Sequence, residues 1–396
     1  MTQKHAVGTA LVTLAALAGI TAAAWATRHW VFTAIPVGVL FGFFLQKGDL
    51  CGSSAFSEVV LFRDARKIRG LWMAIVVSMA SLAAGDLLGW IQLNPKPLAW
   101  ASVLVGGAVF GVGMVLAGGC VSGCLFKGAA GNLNAVAALI AMPFGIALVE
   151  YGPLHPLHLK LKVLKVSAER GGPVTLSSLT GLPFWALALA FAAATAAAAL
   201  LLHRRGRTAG PGEHPAEDPH AASRILGRSW KPWAAGIAIG LLALPATLSS
   251  AASGRNYPLG VTHGVLHTAL LITDAPVRHV VAPPSPAPDA PASKAPKPRK
   301  KVVWWLVLMV GGLVIGSHLS GRMSGQAKLL PKPPEQILTA LGGGFLVGAG
   351  AALAGGCVVG NILSGWALMS VGTMLFGVVT ILANWAATFL YLRGLR

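Results

Sequence analysis

Gly113 to Gly123 reads GMVLAGGCVSG and Gly350 to Gly360 reads GAALAGGCVVG. The two stretches agree at eight of eleven positions, and the same offset of 237 residues lays Gly106-Gly107 on Gly343-Gly344. One plan is therefore used twice. Upstream the match is fainter, but LCGSSAF from Leu50 can be laid on LGVTHGV from Leu259, with Gly260 in the second half where the first has Cys51.

Each copy ends an apolar run. The chain has 396 residues, of which 55% are hydrophobic, 11% are charged and 49 are glycine. This is not the composition of a soluble core. Runs near 6–26, 30–46, 70–90, 99–117, 132–150, 181–202, 232–251, 302–320, 337–354 and 370–392 are each long enough to cross a hydrocarbon layer about 30 Å thick. Shorter runs near 53–62, 121–130, 261–273 and 358–367 cannot cross and read as re-entrant half-helices. The expected fold is an all-α polytopic membrane protein with about ten transmembrane helices and four half-helices. The N-terminal run at 6–26 is expected to be retained as a span rather than cleaved as a signal peptide.

The formal charge of +19 falls in loops and linkers, which suits the positive-inside rule and not nucleic acid. Basic loops after Phe62, at 203–231 and at 322–332, with Arg393 and Arg396, favour cytoplasmic termini in a bacterial inner membrane. In that arrangement the fourth and ninth spans run in opposite directions, so the repeats are inverted, as in many transporters. The expected units are 1–29, an N-terminal helix; 30–150, the first repeat; 151–231, a connecting span and basic linker; and 232–392, the second repeat. The last is interrupted by a Pro/Ala/Lys tract at 282–301 that is expected to be extended or disordered.

In Ala117-Gly118-Gly119-Cys120 and its partner Gly355-Gly356-Cys357, a span ends in glycines and a short helix begins. Its unpaired N–H groups and positive dipole end make an anion site. Gly123 and Gly360 follow in the first turn of each. A thiol tolerates apolar surroundings, offers a weak donor and suits a polarisable sulfur anion. The competing explanation is tight helix packing with cysteine as a small hydrophobe. Cys51 precedes another half-helix and forms a third candidate station; Cys124, one turn past Cys120, reads as packing. Lys127 is placed either to attract an anion or to snorkel, and Arg255, beside Asn256, to contact one. His263 and His267, four residues apart, form a weak metal pattern. No metal or other cofactor is expected, no carboxylate pair lies mid-membrane and no Walker motif is present.

QKGDLCGSSAFSEVVLFRDARKIRG from Gln46, LAGGCVSGCLFKGAAGN from Leu116, GRNYPLGVTHG from Gly254 and AGGCVVGNILSGWALMSVGTM from Ala354 together resemble the YeeE/YedE family of sulfur-transport membrane proteins. The resemblance implies a thiosulfate transporter rather than an enzyme, with Cys51, Cys120 and Cys357 as path cysteines. It also implies a small cytoplasmic sulfur-carrier partner, with a selenium compound or sulfite as alternative cargo. A membrane thiol that carries a persulfide is the reading from a different class.

Overall fold

The computed structural model describes residues 3–168, 171–206, 227–273, 277–283, 300–329 and 331–394. Residues 207–226 and 284–299, which make up most of the two linkers, lie outside them, as does Arg396. Ten helices among the described residues are long and apolar enough to cross a membrane. They contain α1 (Gln3–Thr27), α2 (Ala34–Gly48), α4 (Arg66–Leu87), α5 (Trp100–Leu116), α7 (Leu133–Glu150), α10 (Phe184–Gly206), α11 (Pro232–Ala252), α13 (Trp304–Met323), α14 (Pro334–Leu353) and α16 (Val371–Gly394), and three of them, Trp30–Phe62, Trp100–Ala129 and Pro334–Ala367, run on into a short element. Four short elements sit where half-helices are expected. These are α3 (Gly52–Phe62), α6 (Val121–Ala129), α12 (Thr262–Leu270), and a π-turn at Val358–Leu363 that runs into α15 (Ser364–Ala367). At 1.5 Å per residue a nine-residue helix is about 14 Å long, half a bilayer core.

The two-fold repeat shows in which helices touch. α2 packs on α13 and α4 on α11; α7 packs on α14 and α5 on α16; α6 packs on α13 and α4 on α15. Each pair is the other with the halves exchanged. The exchange reaches single residues. A methyl at Gly343 would overlap Ala117 N, and one at Gly106 would lie 2.6 Å from Ala354 N; moving each residue by the repeat offset, Gly106 to Gly343 and Ala354 to Ala117, turns one pair into the other. Without a hydrophobic drive between helices in lipid, such close glycine contacts supply the van der Waals association. Gly38 and Gly42 of α2 meet the α13 backbone in the same way, and Gly236 of α11 meets that of α4.

α1 and α10 stand outside this core: 11% and 6% of their most apolar windows are buried, against 61% for the stretch Trp30–Phe62. Loops gather at two ends. On the first face Lys328 N bonds Ala130 O and Trp230 N bonds Lys47 O. On the second face Val166 N bonds Leu98 O, Val371 N bonds Val174 O and Asn94 Nδ2 bonds Asn256 O.

Three details go beyond the expected plan. The connection at 151–231 is not simply a span and linker, because α8 (His155–Val163) and α9 (Leu176–Thr180) fold over the second face. At the edges of the Pro-rich tract Val277–Val280 (β1) and Lys300–Val303 (β2) pair in parallel, with Lys300 and Lys301 extended. The second copy of the glycine-cysteine motif opens a π-turn, not an α-helix.

Candidate anion site

Both motifs are built alike. Gly118 and Gly355 take the left-handed conformation at φ 66° and 69° with open space around them, so backbone freedom is what requires glycine there. At the next glycine the requirement is closeness. A Cβ on Gly119 would come 3.1 Å from Cys124 Sγ, and one on Gly356 would come 2.8 Å from Asn361 Oδ1. Those two side chains are repeat partners with one job: Cys124 Sγ donates to Ala117 O at 3.9 Å and Asn361 Nδ2 to Ala354 O at 3.3 Å. Cys124 thus holds a carbonyl that the broken helix leaves free.

Cys51, Cys120 and Cys357 are the N-cap residues of α3, α6 and the π-turn, all in extended conformation and all fully buried. None caps its helix through its side chain. A Ser, Thr or Asp would occupy the first-turn N–H groups itself, whereas cysteine leaves them to a ligand. The thiols converge. A methyl on Gly123 would overlap Cys51 Sγ and lie 3.6 Å from Cys120 Sγ, and one on Gly52 would lie 2.8 Å from Val358 Cγ1, next to Cys357.

A cavity of about 210 Å³ opens toward the second face and includes Gly260, Gly355, Gly356 and Gly360 in its wall. Two cations line it. Arg255 donates to Tyr257 O at 2.8 Å, Pro258 O at 2.6 Å and Ser250 Oγ at 3.2 Å, and stacks over Tyr257 and Trp305. Its guanidinium fills the space over Gly260, the position laid on Cys51 in the first half; a Cβ there would meet Nη2 at 2.5 Å. The second cation is Lys96, from the Pro95-Lys96-Pro97 loop. Its Nζ donates to Gly355 O and Asn361 Oδ1, both at 2.7 Å, and lies 5.0 Å from the Tyr257 ring centroid. Burial, reinforced by Arg255, lowers Lys96 to about 7, and burial lowers Arg255 to about 10. Tyr257 donates its hydroxyl to Gly360 O at 2.7 Å, while Thr262 Oγ1, buried at the start of α12, has no hydrogen-bond partner. A cavity with two cations, an unpartnered hydroxyl and no carboxylate in its wall is suited to a small oxyanion.

On the first face a second cavity of about 220 Å³ is lined by Ala117, Gly118, Lys127 and Lys332 among others. Lys127 Nζ donates to Gly118 O at 2.9 Å. Each left-handed glycine carbonyl is therefore covered by an ammonium, Gly118 by Lys127 and Gly355 by Lys96. The two lysines are not repeat partners.

Of the sequence-predicted residues, Arg255, Gly355, Gly356 and Gly360 line the second-face cavity and Gly118 and Lys127 the first, while Cys51, Cys120, Cys357, Gly119 and Gly123 line neither. Cys357 is next in the chain to Gly356 of the second-face wall, and Cys120 follows Gly118 of the first by two residues. Lys96, Tyr257 and Asn361 were not legible as site residues; Lys96 in particular looks like any loop lysine between prolines. His263 bonds Glu150 and His267 accepts from Val303 N. Among the described residues no group of three or more His, Cys, Asp or Glu could hold a metal.

Comparison with known proteins agrees with this architecture. The chain is 29% identical over 376 residues to the thiosulfate transporter TsuA of Spirochaeta thermophila, covering 92% of this chain and 99% of that protein. It is 24% identical over 367 residues to TsuA of Escherichia coli, covering 92% and 96%. A shorter stretch of 104 residues, about a quarter of each chain, is 32% identical to the probable transporter YedE of Escherichia coli. The pattern of the sulphur transport family matches residues 47–386, which takes in both glycine-cysteine motifs and every residue of the two cavity walls except Tyr391, and the chain belongs to that family.

Proposed function

We propose that this protein carries thiosulfate, or a closely related small sulfur anion, across the bacterial inner membrane into the cytoplasm. The observation that carries the reading is the wall of buried thiols between two cationic cavities on opposite faces. The second face is external and the first, with both termini, cytoplasmic, as the loops after Phe62 and at 322–332 favour. An anion is gathered by Lys96 and Arg255. It then passes Cys357, next Cys51 and Cys120, which share the space at Gly123, and leaves by Gly118 and Lys127. The half-helix N–H groups hold the charge, and the thiols meet the sulfane end through weak S–H contacts. The two relatives named for thiosulfate transport, similar over nine-tenths of this chain, support the substrate. A small sulfur-carrier protein would receive the cargo on the first face.

Uptake of labelled thiosulfate by cells dependent on this protein tests the path. Cys51→Ala, Cys120→Ala and Cys357→Ala are expected to lower uptake at least about tenfold, the loss of about 1.4 kcal/mol of stabilisation along the route. Cys124→Ala, which removes one weak donor to Ala117 O, is expected to retain more than half. Full uptake by both Cys120→Ala and Cys357→Ala would remove the thiols from the route.

A further inference from the structure

Outside the 210 Å³ cavity lies a larger vestibule of about 610 Å³, and His263, Arg255 and Leu306 line both. His263 therefore stands at their junction. Its Nε2 is 2.8 Å from Glu150 Oε1, with the two side chains 34% and 18% exposed. We propose that the Glu150–His263 pair is a proton-binding site linked to the anion cavity, so that a proton and the sulfur oxyanion are taken up together on the second face. The proposal rests on the transport reading above and adds a co-substrate to it.

The neighbours single out His263. On its own helix, His267 lies with its ring centroid 6.1 Å away, and its Nδ1 accepts the N–H of Val303 at 3.3 Å, which leaves that nitrogen without a proton. On α8, His158 is held neutral, lowered to about 4 by burial and by Lys162; His155, also on α8, lines the vestibule away from the anion cavity. Lys162 of α8 and Lys300 and Lys301 of β2 also line the vestibule, as does Tyr151, the residue that follows Glu150 at the end of α7. Across the anion cavity stand Arg255 and Lys96. Histidine beside a carboxylate is the pair suited to load and release a proton near neutral pH. Protonation takes the pair from net −1 to neutral at the rim of a site for a dianion.

The sign follows. The favourable arrangement is the protonated pair, which is present at low pH and lost as the pH rises. By linkage, anion binding draws a proton onto the pair. The gain matters for transport, because two negative charges entering against an inside-negative potential of 100 mV are disfavoured by about a thousandfold or more.

Thiosulfate binding to the purified full-length protein, measured by calorimetry at pH 6 and pH 8 in two buffers of different ionisation enthalpy, tests this. Affinity is expected to be roughly tenfold higher at pH 6, the effect of one charge at several ångströms through partly solvated protein, with net proton uptake on binding. Because Lys96, lowered to about 7, changes charge in the same window, the ratio is read in a Lys96→Arg background, whose guanidinium stays charged throughout: there His263→Gln is expected to flatten it to below about twofold while His155→Gln preserves it; size-exclusion profiles identify any variant that fails to fold. A ratio that survives His263→Gln, or that disappears in Lys96→Arg, would overturn the proposal and leave thiosulfate transport standing. Absence of thiosulfate binding at both pH values would overturn the transport reading and the linkage with it.

Discussion

Lys96→Met is expected to lower kcat/KM for thiosulfate uptake by about a hundredfold, corresponding to about 2.7 kcal/mol. The ammonium makes two short charge-assisted hydrogen bonds, to Gly355 O and Asn361 Oδ1, and each such bond is worth about 1.5–3 kcal/mol. Methionine keeps the stem and removes both, along with one of the two cations lining the second-face cavity. Lys96→Arg keeps the charge but presents a broad planar fork where a point donor sits between two oxygens, so it should recover part of the activity. Initial uptake rates in liposomes, normalised to the amount of folded protein, measure the effect. A loss below threefold in Lys96→Met would show that this cation is not on the route.

Gly343→Ala and Gly106→Ala are expected to destabilise the protein by similar amounts, about 2–3 kcal/mol each. The added methyls would run into backbone, at Ala117 N and at Ala354 N, and backbone cannot rotate aside as a flexible side chain would. The equality matters more than the size, because the two contacts are one contact with the halves exchanged. Gly342→Ala is the control: its Cβ meets nothing within 4 Å, and alanine favours the helix by up to about 1 kcal/mol. Thermal unfolding in detergent, followed by tryptophan fluorescence, should place the first two well below the parent and the third at or above it. A marked difference between Gly343→Ala and Gly106→Ala would mean that the two halves do not share one packing plan.

Much of this fold was legible in the sequence because glycine marks it. The breaks at Gly118 and Gly355 are backbone requirements, written in residue type, and the apolar runs on either side have the lengths that a bilayer imposes. The half-helices beginning at Gly52, Val121, Thr262 and Val358 followed from the same two signals. The cysteines were legible as a set only through the repeat. What placed Cys124 apart from Cys120 was its alignment with Asn361, and the structure adds the reason, a shared bond to the carbonyl of Ala117 or Ala354.

Other features depend on tertiary contacts that leave no local trace. Lys96 lies 259 residues from Gly355, whose carbonyl it covers, and nothing in Pro95-Lys96-Pro97 announces that partner. Arg255 could be suspected, but that its guanidinium occupies the room over Gly260 depends on how the turn at Asn256, with φ 45°, folds back. The β1–β2 ladder was missed because four-residue strands with mixed Val and Lys carry too short a pattern to separate from loop. The π-turn after Cys357 has the same apolar composition as an α-helix and differs only in its hydrogen bonding.

The most direct measurement of the central claim uses the purified protein in liposomes with thiosulfate labelled separately at its two sulfur positions. If the anion moves intact past the thiols, both labels accumulate inside in equal amounts, and mass spectrometry finds Cys51, Cys120 and Cys357 unmodified. Accumulation of the sulfane label alone, with a persulfide on Cys120 or Cys357, would contradict the account and make the protein a sulfur relay instead of a carrier of the whole anion.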